Sequence, residues 1–158
     1  MTIRKLLLVL SLLGLVSACG GPNESAGVPE AQPAGASSAD IGDHIVHFSA
    51  QKTDDLPVEV ARAYEISRSP NNAMFSVSVL RKSDNAAVKA VFGTKAVNLT
   101  GQLKNVKIKE IVEQDAIYYV GVVEGIENME TLVFDISVTP EGAGKASEVR
   151  FKRQFFTD

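Results

Sequence analysis

Hydrophobic and polar residues alternate with period two along most of the chain, the pattern of strands that bury one face. His44 to Ala50 sends Val46, Phe48 and Ala50 one way and Ile45, His47 and Ser49 the other. Ala73 to Arg81 sets Phe75, Val77 and Val79 against Ser76 and Ser78, and Lys82-Ser83-Asp84-Asn85 has the composition of a hairpin turn. Ala86 to Phe92 reads as a strand, Gly93-Thr94 as a break or bulge, and Ala96 to Leu99 as a short strand beyond it. Val106 to Val112 alternates Val106, Ile108 and Val112 with Lys107, Lys109 and Ile111. Ala116 to Val123 is apolar on both faces, the mark of a central strand. Leu132 to Val138 alternates cleanly, Thr139 to Gly144 is the last turn, and Glu148 to Phe156 closes the chain with Val149, Phe151 and Phe155 inward.

One segment departs from this rhythm. Asp55 to Tyr64 opens with acidic residues and Pro57 and places Val60, Ala61 and Tyr64 at helical spacing, which predicts a short helix between the first two strands. About seven to eight short antiparallel strands with one small helix predict a mainly β fold, an antiparallel β-sandwich of immunoglobulin-like type. A barrel, or an open sheet backed by the helix, is the alternative. The stretch from Asp43 to Asp158 is long enough for one core and not for two, and it holds no internal repeat.

The pattern changes twice before that domain. Arg4 and Lys5 precede an apolar run, Leu6 to Val16, which has the length of a signal-peptide core and is too short to span a bilayer. The run ends in Val16-Ser17-Ala18-Cys19, which resembles the lipobox of bacterial lipoproteins. The resemblance implies that residues 1–18 are removed and that Cys19 is acylated, with more than one chain because a single chain anchors only marginally. An ordinary cleaved signal peptide is the competing reading. Gly20 follows the cysteine, where an aspartate would resemble an inner-membrane retention signal, so the expected location is the periplasmic face of the outer membrane. Residues 19–42, the cysteine and a Gly-, Pro-, Ala- and Ser-rich stretch, carry too little apolar surface to offset chain entropy. They read as a disordered tether with an r.m.s. span on the order of 25 Å.

Composition removes several kinds of chemistry. Cys19 is the single cysteine, which argues against a disulfide, a thiol nucleophile or a thiolate metal site. Without Arg4 and Lys5 the 16 basic residues fall to 14 against 19 acidic, so the mature chain carries about −5 and nucleic acid is not the expected partner.

Four segments resemble one known family. They are Val58 to Ser69 followed by Asn71 or Asn72, Val77-Ser78-Val79-Leu80, Asp115-Ala116-Ile117-Tyr118-Tyr119, and the closing Phe155-Phe156-Thr157-Asp158. Together they are similar to a proteobacterial family of small exported proteins whose domain has no known function. The resemblance spans nearly all of Asp43 to Asp158 and implies export and a single β-rich domain. It transfers no activity and no site residue. One departure is Glu65, where members of that family often have glycine at the helix exit.

Candidate sites are few. His44 and His47 are the only histidines, and residues three apart on a strand point to opposite faces, so they make a poor metal pair. Adding Met74 and Met129 gives a conceivable soft-ligand set without the clustering that metal carriers show. No nucleophile–base motif of the Gly-x-Ser-x-Gly or His-Glu-x-x-His kind is present, so the reading is non-catalytic and cofactor-free. Asn98-Leu99-Thr100 matches a glycosylation sequon and reads as a strand end. Lys107 and Lys109 share one strand face, and Arg150 and Lys152 another. Were those strands neighbours, they would form a basic patch for an anionic ligand or an acidic partner surface. Phe156, opposite in parity to Phe155, is a candidate for recognition. These residues predict a membrane-anchored lipoprotein of the cell envelope whose domain contacts another envelope protein. A small-ligand or metal-binding module is the alternative, and a pocket holding Tyr118 or Tyr119 beside basic residues would favour it.

Overall fold

A computed structural model describes residues 37–157. The signal segment, Cys19 and all but the end of the expected tether lie outside those residues. Strands are β1 (Ser38–Ile41), β2 (His44–Lys52), β3 (Asn72–Arg81), β4 (Ala90–Asn98), β5 (Leu103–Lys104), β6 (Val106–Glu113), β7 (Ala116–Glu124), β8 (Glu130–Pro140) and β9 (Ser147–Phe155). A 3-10 turn (Thr53–Asp55) and helix α1 (Val58–Ala63) link β2 to β3. They form two antiparallel sheets, ordered β1-β2-β3-β7-β6 and β5-β4-β8-β9. With β1 set aside, this is the A-B-E-D over C′-C-F-G order of immunoglobulin-type sandwiches.

The alternation works as the pattern predicts. Val46, Phe48, Phe75, Val77 and Val79 from one sheet meet Leu132, Phe134, Ile136, Val138, Val149 and Phe151 from the other. Four rings run through this core: Phe75 to Phe134 at 5.1 Å, Phe134 to Phe151 at 4.9 Å and Phe151 to Phe48 at 4.5 Å. Offset contacts of this kind add to the burial of the rings themselves. Gly121 in β7 is what admits the Phe75 ring, since a Cβ there would lie 2.2 Å from it.

The five-stranded sheet has a second, smaller core on its outer face. Leu56, Ala61 and Ile66 pack there on Met74 of β3 and Val120 of β7. That layer explains why β7 is apolar on both sides. The helix exits through a left-handed residue, Glu65 at φ 53°. The Ile66 N–H donates to Ala61 O at 2.8 Å and the Glu65 N–H to Arg62 O at 3.2 Å, a Schellman closure, and Ile66 packs back on Ala61.

Three features differ from the sequence reading. The domain begins at Ser38, not Asp43: the last residues of the expected tether pair with β2, Ser38 opposite His47 and Ile41 opposite His44, through a turn at Gly42. Ala39 and Ile41 pack against the core, an alternation too brief to stand out among alanines and serines. β4 is one unbroken strand from Ala90 to Asn98: Gly93 pairs in register with Ser137, and a Cβ there would meet the Ser137 Cβ at an unstrained 3.5 Å. Ala86 and Ala87 return to β3 instead, with the Arg81 N–H donating to Ala86 O at 2.9 Å and Leu80 bridging Ala87. The two-residue β5 makes the described count nine rather than seven or eight.

Candidate functional site

Strand order decides which candidate residues meet. β6 borders one sheet and β9 the other. β9 lies over β2, where Phe151 stacks on Phe48, whereas β6 lies beside β4. Lys107 and Lys109 are therefore separated from Arg150 and Lys152, and the joint basic patch does not form. The sequence shows parity within a strand and carries no signal of which strands become neighbours.

On β6, Lys109 Nζ bonds Glu65 Oε2 at 2.6 Å and Tyr64 O at 3.2 Å. The same ammonium holds the Glu65 carboxyl below its ordinary range, first by the hydrogen bond and then by charge. Glu113, two residues beyond Ile111, accepts from the Tyr64 hydroxyl at 2.8 Å. A hollow of about 210 Å³ lies here, floored by Ile111, Val120 and Val122 with Lys107 and Lys109 on one wall.

The outer face of the four-stranded sheet is different. Pairing aligns Leu103, Val97, Val133 and Lys152 in one cross-strand row, and Lys95, Asp135 and Arg150 in the next. Leu103 is 63% exposed and Val91, on the same face, 74%. Among the described residues no second layer packs on this face as α1 does on the other sheet. Arg150 grips Asp135 with two donors, Nε and Nη2, the latter at 2.9 Å. That hydrogen bonding raises the guanidinium pKa further. Among the described residues Lys95 and Lys152 have no carboxylate within ion-pair distance. The sequence reading missed Val91, Lys95 and Val97 because it broke their strand at Gly93; read as one strand, their parity puts all three on a single face.

Tyr119 lies under a hollow of about 450 Å³ lined in part by Lys89, Glu110 and Glu141. Its hydroxyl donates to Glu110 Oε2 at 2.8 Å and accepts the Ala90 N–H at 3.0 Å. Burial raises its pKa, and the carboxylate of Glu110 raises it further. This is a strut between the two sheets, with both hydrogen-bonding capacities of the hydroxyl in use.

His44 and His47 point to opposite faces of β2, as their spacing requires: His47 is exposed, and His44 shares the parity of buried Val46. Met74 is buried beneath α1, and Met129 is exposed before β8. Among the described residues no three His, Cys, Asp or Glu side chains converge on a metal-sized site. Phe156 is 51% exposed while Phe155 is buried, the split their parity predicts. Asn98 ends β4 and folds back on its own turn, accepting from Thr100 Oγ1 at 2.7 Å and from the Gln102 N–H at 2.8 Å.

At the same end of the sandwich Lys104 Nζ meets Glu130 Oε1 at 2.8 Å, with only 9% and 7% of the two side chains exposed. Asn98 Nδ2 and the Glu127 N–H also donate to this carboxylate, at 3.0 and 2.9 Å. Burial opposes its ionisation, yet Lys104 and those donors outweigh burial and leave the pKa below the ordinary value.

Residues 38–158 match the model of a family described as a domain of unknown function, DUF4426. Among solved structures, the crystal structure of a DUF4426 family protein from Pseudomonas aeruginosa is 29% identical, with a TM-score of 0.66 over 77% of this chain and 94% of that one. A family 123 glycoside hydrolase from Clostridium perfringens is 12% identical, with a TM-score of 0.37 over 70% of this chain and 27% of that one, too distant to carry an argument. No curated protein matches.

Proposed function

The chain belongs to the DUF4426 family, and from that premise we propose that it is a lipid-anchored periplasmic lipoprotein whose sandwich is a non-catalytic interaction module for another envelope protein. Cys19 carries the lipid, residues 19–37 are the leash, and the expected location is the periplasmic face of the outer membrane. The observation that carries the reading is the uncovered face of the four-stranded sheet. Its apolar row of Leu103, Val97 and Val133, with Val91 beyond, lies beside Lys95, Lys152 and Arg150, the last ion-paired with Asp135. Leu103 and Val91 are exposed and Val97 and Val133 half-buried, and an uncovered apolar face with a charged rim is the usual form of a docking surface. Its cations select a partner that presents apolar and acidic side chains. A leash raises the effective concentration of such a face near membrane proteins.

In-cell photo-crosslinking of the intact chain tests this, with probes at Val133, Lys152 and Phe156 and a comparator at exposed Arg62 on α1. The expected result is one reproducible protein adduct from both Val133 and Lys152, with the Val133 adduct lost when Lys152→Glu is added. Adducts from Arg62 alone, or none from any position, would refute the face assigned here. The hollow walled by Lys107 and Lys109 supports a second reading, a small anionic amphiphile lying on Ile111, Val120 and Val122.

A further inference from the structure

The two edges of the five-stranded sheet are built differently. At one, the short strand β1 pairs with His44 to His47, the first part of β2, and leads back toward the amino terminus. At the other, β6 runs for eight residues, and among the described residues no strand pairs with its outer side. Exposed edges of this length template pairing with another chain, and natural proteins commonly blunt them with charged side chains, lysine above all. The charges of β6 carry both signs in a definite order. On the face it shares with the α1 layer the order is Lys107, Lys109, Ile111, Glu113, so the sign reverses at Ile111. On the opposite face Ile108 and Val112 stay 38% and 57% exposed, with Glu110 between them.

A sequence whose charge reverses about its centre is complementary to itself when run antiparallel. A twofold axis at Ile111 sets Lys109 opposite Glu113 of the partner subunit, and the reverse, so both copies gain the same cross-strand ion pair. On the other face Glu110 then stands opposite Val112 of the partner subunit, and no like charges meet. Sliding toward fuller overlap sets Lys107 opposite Glu113 of the partner subunit but places Glu110 directly opposite Glu110 of the partner subunit, a like-charge contact that the register about Ile111 lacks. A further slide places Lys109 opposite Lys109 of the partner subunit. Like charges directly opposite are destabilising, so the pattern selects one register. The present partners of Lys109 and Glu113, namely Glu65 and Tyr64, make solvent-exposed contacts that exchange at little cost.

We propose that β6 is a self-association edge: two copies of this chain pair antiparallel about Ile111, with Lys109 facing Glu113 of the partner subunit, and join their five-stranded sheets into one. The overlap is short, so the dimer is reversible. Neither the partner-facing sheet nor the lipid anchor enters the argument, and the dimer stands or falls apart from the function proposed above.

Sedimentation velocity of the intact chain in detergent tests it over a concentration series. Wild type shifts from monomer to dimer. Lys109→Glu leaves an edge acidic at both positions and Glu113→Lys one basic at both, and each weakens self-association by roughly tenfold or more. An equimolar mixture of the two variants restores the dimer, because an acidic edge then meets a basic one. Restoration also shows that both variants are folded. In parallel, in a Cys19→Ser background, Ile111→Cys yields a disulfide-linked dimer on mild oxidation, whereas Lys152→Cys on the other sheet does not. A wild type that stays monomeric, single variants that associate like wild type, a mixture that fails to associate, or an Ile111→Cys chain that resists cross-linking would each overturn the proposal.

Discussion

Glu130 shows how a single carboxylate ties the end of the sandwich together. It draws on Lys104 from β5, Asn98 from β4 and the backbone before β8, with almost none of its side chain in water. Burial alone would favour the neutral acid, and three donors reverse that balance. The linkage follows from the sign of the shift. The folded-state pKa lies below the unfolded one, so the unfolded chain binds more protons in the acid range. The stabilisation is complete above the ordinary glutamate pKa and is lost as pH falls through the depressed folded value. Glu130→Gln removes this acid-range slope and leaves Lys104 buried without its counter-charge, at a cost of about 3 kcal/mol at neutral pH. Urea melts of wild type and variant at neutral and acid pH measure both effects. Equal destabilisation at every pH would mean that packing alone is lost.

At the scale of elements, the exit of α1 carries a conflict between backbone and side chain. Glu65 occupies a left-handed conformation that glycine adopts without strain, and its side chain is retained by Lys109. The pair lies in solvent, where screening leaves it little weight against the backbone cost. Glu65→Gly therefore raises the melting midpoint by a few degrees in calorimetry; a lower midpoint would show that the contact with Lys109 dominates. The sequence departure at Glu65 pointed to this turn, and the strands β2, β3, β6, β7, β8 and β9 were all visible in period-two alternation. β1 and β5 were not, because Ser38–Ile41 and Leu103–Lys104 are too short for a period to register. β4 was broken at Gly93, where the glycine stays in register with Ser137 and does not interrupt the pairing. The exposed aromatic Phe156 and the opposed histidines were legible for the same reason as the strands, since parity is local. The failed union of Lys107 and Lys109 with Arg150 and Lys152 was not, since it depends on which sheet each strand joins.

For the whole molecule, the chain enters the sandwich at the β1 edge, Ser38 lying opposite His47 in the middle of β2. A lipid at Cys19 would therefore hold the domain by the edge opposite β6 and leave the four-stranded face free to turn toward neighbours in the same membrane. The anchor is the proposal on which that orientation rests, and one sulfur atom tests it. Cys19→Ser removes the acylation site without touching any described residue. Stable membrane attachment needs more than one hydrophobic signal, and a chain of net negative charge gains nothing from anionic lipid headgroups. The variant is thus expected to move from the membrane pellet to the soluble fraction after cell breakage, while its circular dichroism keeps the β-sheet signature of wild type. Retention in the pellet with the fold intact would mean that a protein contact, not a lipid, holds the domain at the membrane. The uncovered row of Leu103, Val97 and Val133 would then be the first place to look for that contact.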